Sequence, residues 1–405
     1  MSQEQLNKDR IRIEVSGIVQ GVGFRPFVYR LAERLAVTGF VRNTPSGVTI
    51  EAQGDEVSLK SLLDAVVSEA PPLAAISGIT HASVPAVEGE DGFGIRASAG
   101  GETTAEIPPD GDVCQDCLRE LFDPADRRHL YPFITCTNCG PRYSIITGIP
   151  YDRPLTTMAA FTLCPDCREE YENPLDRRFH AQPVACPACG PQVRLLDATG
   201  AAVSSNPLDG AVHLLKKGAI VAVKGIGGYH LAVDACNPPA VEELRRRKLR
   251  EAKPFAVMVR DIESARIIAS PEPLEERLLA SPERPIVLLG KKTGGPVADA
   301  VAPVSGYLGV MLPSTPLHHL LLARNFVALV MTSGNRSSEP IAYEDEEALE
   351  RLAHIADAFL VHDRPIRTRV DDSVIRVFQG KPLFLRRSRG YVPRAVGLEE
   401  SQPSV

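Results

Sequence analysis

Eight of the nine cysteines fall in four Cys-x-x-Cys pairs between Cys114 and Cys189. They are Cys114 and Cys117, Cys136 and Cys139, Cys164 and Cys167, and Cys186 and Cys189, separated by 18, 24 and 18 residues. A Cys-x-x-Cys turn aims two thiolates at one ion, and a second pair completes a tetrahedral shell. Eight thiols therefore predict two structural zinc ions. The frame is duplicated. Cys114, Pro124, Asp126, Arg127, Arg128, Cys136, Cys139, Gly140 and Pro141 recur 50 residues later as Cys164, Pro174, Asp176, Arg177, Arg178, Cys186, Cys189, Gly190 and Pro191. A lone pair could be a redox motif, and a disulfide framework would need a secreted chain; four pairs in a duplicated frame point to metal. Two pairings stay open: within each repeat, or outer pair with outer pair and inner with inner, as in a chaperone-type zinc hairpin.

A second stretch with chemistry in it is GIVQGVGFR, Gly17 to Arg25. Glycines between a strand and a helix let backbone N–H groups converge on an anion, and the helix N-terminus adds its dipole. Gln20, Gly21, Val22, Gly23 and Phe24 form the candidate phosphate cradle. Arg25 offers a planar fork for phosphate oxygens. A third cluster is dispersed: Lys248, Arg250 and Lys253, then Ser333 and Asn335 after the apolar run NFVALVM, then Arg386 in RRSRG. Cations with Ser and Asn at strand ends suit a triphosphate. No Gly-x-x-x-x-Gly-Lys-Ser/Thr motif occurs, so this is no P-loop. Gly225, Gly227 and Gly228 precede an apolar extended run rather than a helix, which argues against a dinucleotide loop.

These residues need elements to hold them. Residues 10–98 alternate strand and helix patterns in the order βαββαβ, the ferredoxin-like arrangement. Residues 99–110 are rich in Gly and Pro and read as a linker. A loop-rich zinc module is expected over 111–195, a second linker over 196–206, an α/β domain over 207–394 and a tail over 395–405. The repeated Asp-Arg pairs of the zinc module read as local ion pairs that order loops; their acidic neighbours leave nucleic acid only a fold-level possibility.

At 405 residues, with an apolar fraction of 44% and a net charge of −6, the chain suits two or three buried cores and no general attraction to anionic surfaces. The start is polar, without an apolar signal segment, and no run approaches a membrane helix. Thiols in metal-type pairs suit a reducing compartment, so a cytoplasmic location is expected.

The first stretch resembles the acylphosphatase signature through Gly17, Val19, Gln20, Gly21, Val22, Phe24 and Arg25, with a second signature in Gly39 to Asn43 and Gly47. The resemblance implies that Arg25 binds the phosphoryl group and Asn43 orients the attacking water. Gly47 is followed directly by Val48, without the family's spacer, which shortens a hairpin. The third domain resembles the YrdC-like fold of threonylcarbamoyl-adenylate synthases through Lys248, Arg250, Ser333 and Asn335. That likeness implies a site for ATP, with magnesium, and a carboxyl-type substrate.

Together, in this order, the three parts resemble the N-terminal part of the hydrogenase-maturation carbamoyltransferase (HypF-type) family. RRFHAQPVACP, KGIGGYHLA, DDSV and RRSRGYVP add to the likeness. It implies hydrolysis of carbamoyl phosphate to carbamate, then condensation of carbamate with ATP to carbamoyl-adenylate. A C-terminal domain would then pass the carbamoyl group to the C-terminal cysteine of a partner maturation protein, toward the cyanide ligand of a nickel–iron hydrogenase. The sequence ends before such a domain, and a truncated chain is the expectation. Rival readings are a tRNA-modifying enzyme that makes threonylcarbamoyl-adenylate and a zinc-finger module that binds RNA or protein.

Overall fold

A computed structural model describes residues 9–99, 106–336 and 339–396. The first domain runs β1 (Asp9–Ile18), α1 (Phe24–Arg34), β2 (Thr38–Thr44), β3 (Gly47–Gly54), α2 (Glu56–Ser68), β4 (Ala75–Ser83) and β5 (Phe93–Ile95). Alternation in β1 sends Ile13 and Val15 into the core, while Arg12 and Glu14 face solvent. Asp55 caps α2 by accepting from the Ser58 N–H at 2.9 Å. Leu59, Leu62 and Val66 then fall on one buried face of α2, opposite Phe27, Val28 and Leu31 of α1. The sheet order is β4-β1-β3-β2-β5, so the expected ferredoxin-like arrangement is present with a short fifth strand added. The shortened hairpin closes on a two-residue turn in which Thr44 pairs with Gly47.

Regular structure in the middle segment centres on two short helices, α3 (Gln115–Phe122) and α4 (Pro165–Glu172). Its small core gathers Cys117, Leu121, Tyr131, Ile134, Cys136 and Cys139.

The rest is an α/β domain. It begins with β6 (Val193–Asp197), α5 (Pro207–Lys216), β7 (Val221–Lys224), β8 (Tyr229–Asp234) and α6 (Pro238–Arg247). Then follow β9 (Ala256–Met258), α7 (Ile262–Ile268), α8 (Pro273–Ala280), β10 (Ile286–Gly290) and β11 (Tyr307–Met311). It ends with α9 (Pro316–Leu322), β12 (Leu329–Ser333), α10 (Asp345–Leu352), β13 (Ala358–His362), β14 (Val374–Phe378) and β15 (Lys381–Arg386). All ten strands form one mixed sheet, β15-β14-β10-β11-β9-β12-β8-β7-β13-β6. Apolar runs such as Val221–Lys224 are buried on both faces because helices cover the central strands from either side. Asn206 and Asn237 cap α5 and α6, and each of these helices opens with Pro.

Two expected linkers need correction. Strand β6 crosses the boundary drawn at residue 195 and pairs with β13 through Leu195 and Leu360. The residues after it return as a tight turn, with Ala201 and Thr199 donating to the Asp197 carboxylate. The span 196–206 is therefore the edge of the third domain. In the other span, 99–110, residues 100–105 lie outside the described residues. Asp110 is buried and accepts from the Arg142 and Ser144 backbone N–H groups at 2.7 and 3.1 Å, so it belongs to the zinc module. Of the expected tail, residues 397–405 also lie outside the described residues. Among the described residues no helix is long and apolar enough to cross a membrane.

Candidate functional site

The cysteines gather within each repeat. Cys114, Cys117, Cys136 and Cys139 form one cluster, and Cys164, Cys167, Cys186 and Cys189 the other. Cys114 and Cys164 stand at the N-caps of α3 and α4, so the first turn of each helix carries the second thiol of its pair inward. In the first cluster the Sγ–Sγ separations are 3.6 Å for Cys114–Cys136, 3.6 Å for Cys117–Cys139 and 3.8 Å for Cys136–Cys139. In the second, Cys164–Cys186 and Cys186–Cys189 are both 3.7 Å. Zinc–sulfur bonds of about 2.3 Å place sulfurs about 3.8 Å apart on a tetrahedron, so both sets fit zinc. The metal would hold the loops of each finger together.

The repeated arginines are not locally paired as expected. Asp126 and Asp176 cap their own turns by accepting from the Arg128 and Arg178 N–H groups, both at 2.7 Å. The guanidinium groups cross to the other repeat. Arg127 Nη2 lies 2.8 Å from Cys167 Sγ, and Arg128 pairs with Glu170. Reciprocally, Arg177 lies 3.3 Å from Cys117 Sγ, and Arg177 and Arg178 share Glu120. Four thiolates around one divalent ion leave a double negative charge, and these N–H groups offset it. Fresh protein should therefore carry two zinc ions per chain, and chelation should unfold the middle segment because ligation free energy is folding free energy. Elemental analysis returning one zinc or none would contradict this.

In the first domain the candidate cradle lies between β1 and α1. Gly21 and Gly23 take left-handed φ values of 68° and 77°. Val22 and Phe24 are buried in the core, so the loop presents its backbone to the pocket. Gln20 holds the scaffold: its Nε2 donates to the Thr44 and Gly47 carbonyls at 2.7 and 2.8 Å, tying the loop to the β2–β3 hairpin. Arg25 and Asn43 line one pocket with Gly21, Gly23 and Phe24. Asn43 is 1% exposed, and neither its Oδ1 nor its Nδ2 has a protein partner. A buried amide without partners is costly unless a ligand or water completes it.

Sequence reasoning missed the other half of this pocket. Thr137, Arg142, Tyr151, His180, Ala181 and Gln182 roof it, all from the zinc module. Arg25 Nη2 donates to Asp152 Oδ1 at 3.0 Å, and Ser98 Oγ donates to Asp152 Oδ2 at 2.6 Å. Burial, then the Arg25 charge, pushes His180 down to about 4, so it is neutral at pH 7. The signal was present in PYDRP (Pro150 to Pro154) and RRFHAQP (Arg177 to Pro183), but nothing in their spacing tied them to a glycine loop more than 120 residues earlier.

In the third domain, Lys248, Arg250, Lys253, Ser333, Asn335 and Arg386 line one cavity of about 960 Å³. Lys248 sits at the C-cap of α6, and β12 delivers Ser333 and Asn335 to it. The Lys248 ammonium donates to the Ser333 carbonyl at 2.6 Å and to Asn335 Oδ1 at 2.8 Å. Burial, then Arg250, pulls Lys248 down to about 7. Burial also lowers Arg250 to about 10, its neighbours being Arg245 and Arg386. Asp371, Asp372 and Glu339 line the same cavity. Asp372 is held by His230 Nε2 and Arg389 Nε, each at 2.8 Å. Burial alone would raise its carboxyl; Arg389 and His230 together draw it well below the usual range. The cavity thus carries cations with carboxylates among them, Arg386 pairing with Asp371 at 3.7 Å, a mixture that suits a nucleoside triphosphate with its divalent ion.

Residues 11–95 match the acylphosphatase family, 113–146 and 163–196 the HypF finger, and 213–388 the Sua5–YciO–YrdC family, described as telomere recombination. The chain is 52% identical over 419 aligned positions to carbamoyltransferase HypF2 of Cupriavidus necator, covering 98% of this chain and 52% of that protein. It is 50% identical to carbamoyltransferase HypF of Synechocystis, covering 96% of this chain and 51% of the relative. The crystal structure of full-length HypF in its phosphate- and nucleotide-bound form superposes with a TM-score of 0.91 at 47% identity, over 96% of this chain and 51% of that one. The chain therefore spans about half the length of the curated relatives it matches.

Proposed function

This chain belongs to the HypF family over its acylphosphatase, finger and Sua5–YciO–YrdC domains, and from that premise we propose that it converts carbamoyl phosphate and ATP into carbamoyl-adenylate. One observation supports the reading: a single chain holds a glycine-loop pocket lined by Arg25 and Asn43 and, in a separate domain, a cavity large enough for ATP that is lined by Lys248, Arg250, Lys253 and Arg386.

In the first site the loop N–H groups and Arg25 hold the phosphoryl group, and Asn43 orients a water. Water adds and phosphate leaves, giving carbamate. The acyl phosphate is already activated, so positioning and charge stabilisation suffice without a covalent intermediate. In the second site the carbamate oxygen attacks the α-phosphorus of magnesium-bound ATP. Pyrophosphate leaves and carbamoyl-adenylate forms. Lys248, Arg250, Lys253 and Arg386 neutralise the triphosphate, while Ser333 and Asn335 hold the carboxyl-type group. In this reading the carbamoyl group is destined for the C-terminal cysteine of a partner maturation protein, on the way to a nickel–iron hydrogenase cyanide ligand. Cysteines arranged as zinc ligands rather than as disulfides suit a cytoplasmic setting.

Two assays on the chain test this. Carbamoyl phosphate alone should release phosphate. Adding ATP and magnesium should then release AMP and pyrophosphate in equal amounts. AMP formation that needs threonine and bicarbonate, and ignores carbamoyl phosphate, would favour the tRNA-modifying reading instead.

A further inference from the structure

The roof over the phosphate cradle lies wholly outside residues 11–95, the part matched to the acylphosphatase family. Without the zinc module, then, the cradle would face solvent. With it, the loop backbone and the roof are in van der Waals contact. A Cβ placed on Gly21 would meet the Tyr151 ring at 2.9 Å, and one on Gly23 would meet Thr137 Cβ at 3.1 Å. We propose that this roof makes the first site selective for small acyl phosphates, with His180 as the specificity-determining wall. The proposal rests on the acylphosphatase reading above.

The roof is fixed rather than resting. Arg142 Nε donates to the Gly21 carbonyl, and its other N–H groups are spent on the carbonyls of Cys139, Pro141 and Thr137. The Tyr151 N–H donates to Gln20 Oε1 at 3.3 Å. Arg25 and Asp152 make a third tie at 3.0 Å. The His180 ring packs against Tyr171 and its chain neighbour Phe179, with ring centroids 5.1 and 4.6 Å away. The ties hold Arg142, Tyr151 and Asp152 of the roof, and the aromatic neighbours crowd His180, so the roof cannot move aside cheaply for a large acyl group. Carbamoyl is a small planar amide; an aromatic acyl group would collide with the imidazole. His180 is also uncharged, so it adds no second cation that would tighten phosphate as such.

The test compares carbamoyl, acetyl and benzoyl phosphate on the whole chain. Acetyl phosphate should be hydrolysed at a kcat/KM near that of carbamoyl phosphate, and benzoyl phosphate about 100-fold more slowly, the size of discrimination a fixed pocket wall supplies. His180→Gly should raise benzoyl relative to carbamoyl turnover about tenfold. Glycine is suited to this position because His180 has a φ of 55°, and zinc content reports whether the fold is kept. Benzoyl phosphate turned over by the parent chain within a few-fold of carbamoyl phosphate would overturn the size gate alone. An unchanged ratio in His180→Gly with both zinc ions retained would overturn the assignment to His180. No hydrolysis of any of the three would overturn the acylphosphatase reading and the gate with it.

Discussion

Arg25→Ala should lower phosphate release from carbamoyl phosphate by about 1,000-fold, since one preorganised donor aimed at developing charge is worth up to that much. Among the described residues that line the pocket, one other arginine is present. Arg142, which also lines the pocket, has its donors committed to backbone carbonyls. Arg25→Lys should recover little of the loss, because an ammonium lacks the planar fork. Asn43→Ala should behave differently. Its amide is unpartnered in the protein and faces the pocket, so removing it leaves the cradle intact and deprives the water of its guide. Turnover should fall about 100-fold while KM moves little. Steady-state phosphate release measures both. Parent rates in the two variants would place the hydrolytic site elsewhere.

The glycine loop was legible in the sequence because it is local: strand end, loop and helix start lie within nine residues. The zinc ligands were legible for the same reason, pair by pair, although the spacing allowed two pairings. Geometry decided between them through the helices that begin at Cys114 and Cys164. The crossed arginines were not legible. Arg127 and Arg177 have acidic neighbours in their own repeats, and composition does not distinguish a local partner from the equivalent residue 50 positions away. The roof escaped notice on similar grounds, for the Arg25–Asp152 pair joins residues 127 apart. The 196–206 span misled because Gly, Ser and Asn serve a hairpin return and a linker equally well. The third-domain cluster fell between these cases. Residue types at strand ends were readable, whereas the meeting of Lys248 with Ser333 and Asn335 depends on α6 ending beside the sheet position that β12 takes next to β8.

That meeting sets the largest effect expected in the third domain. Lys248→Ala should cut AMP and pyrophosphate formation by about 1,000-fold, because it removes the buried cation that ties Ser333 and Asn335 together in the proposed triphosphate site. Phosphate release from carbamoyl phosphate should stay at the parent rate, since the two pockets share no lining residue. The charge also predicts a pH dependence. Burial and then Arg250 hold Lys248 near 7, so the ligand-free site is about half protonated at neutral pH. A bound triphosphate favours the ammonium form. Above pH 7, binding must therefore draw a proton from solvent, and apparent ATP affinity should fall by up to about tenfold per pH unit between 7 and 9. Below pH 7 the ammonium is already present and this dependence should flatten. Lys248→Arg keeps its charge across that range and should lose the slope even where it binds ATP less well. Calorimetry in two buffers of different ionisation enthalpy counts the proton taken up. No proton uptake by the parent chain at pH 8 would show that Lys248 does not meet the triphosphate. Loss of phosphate release in Lys248→Ala would show that the two sites are not independent.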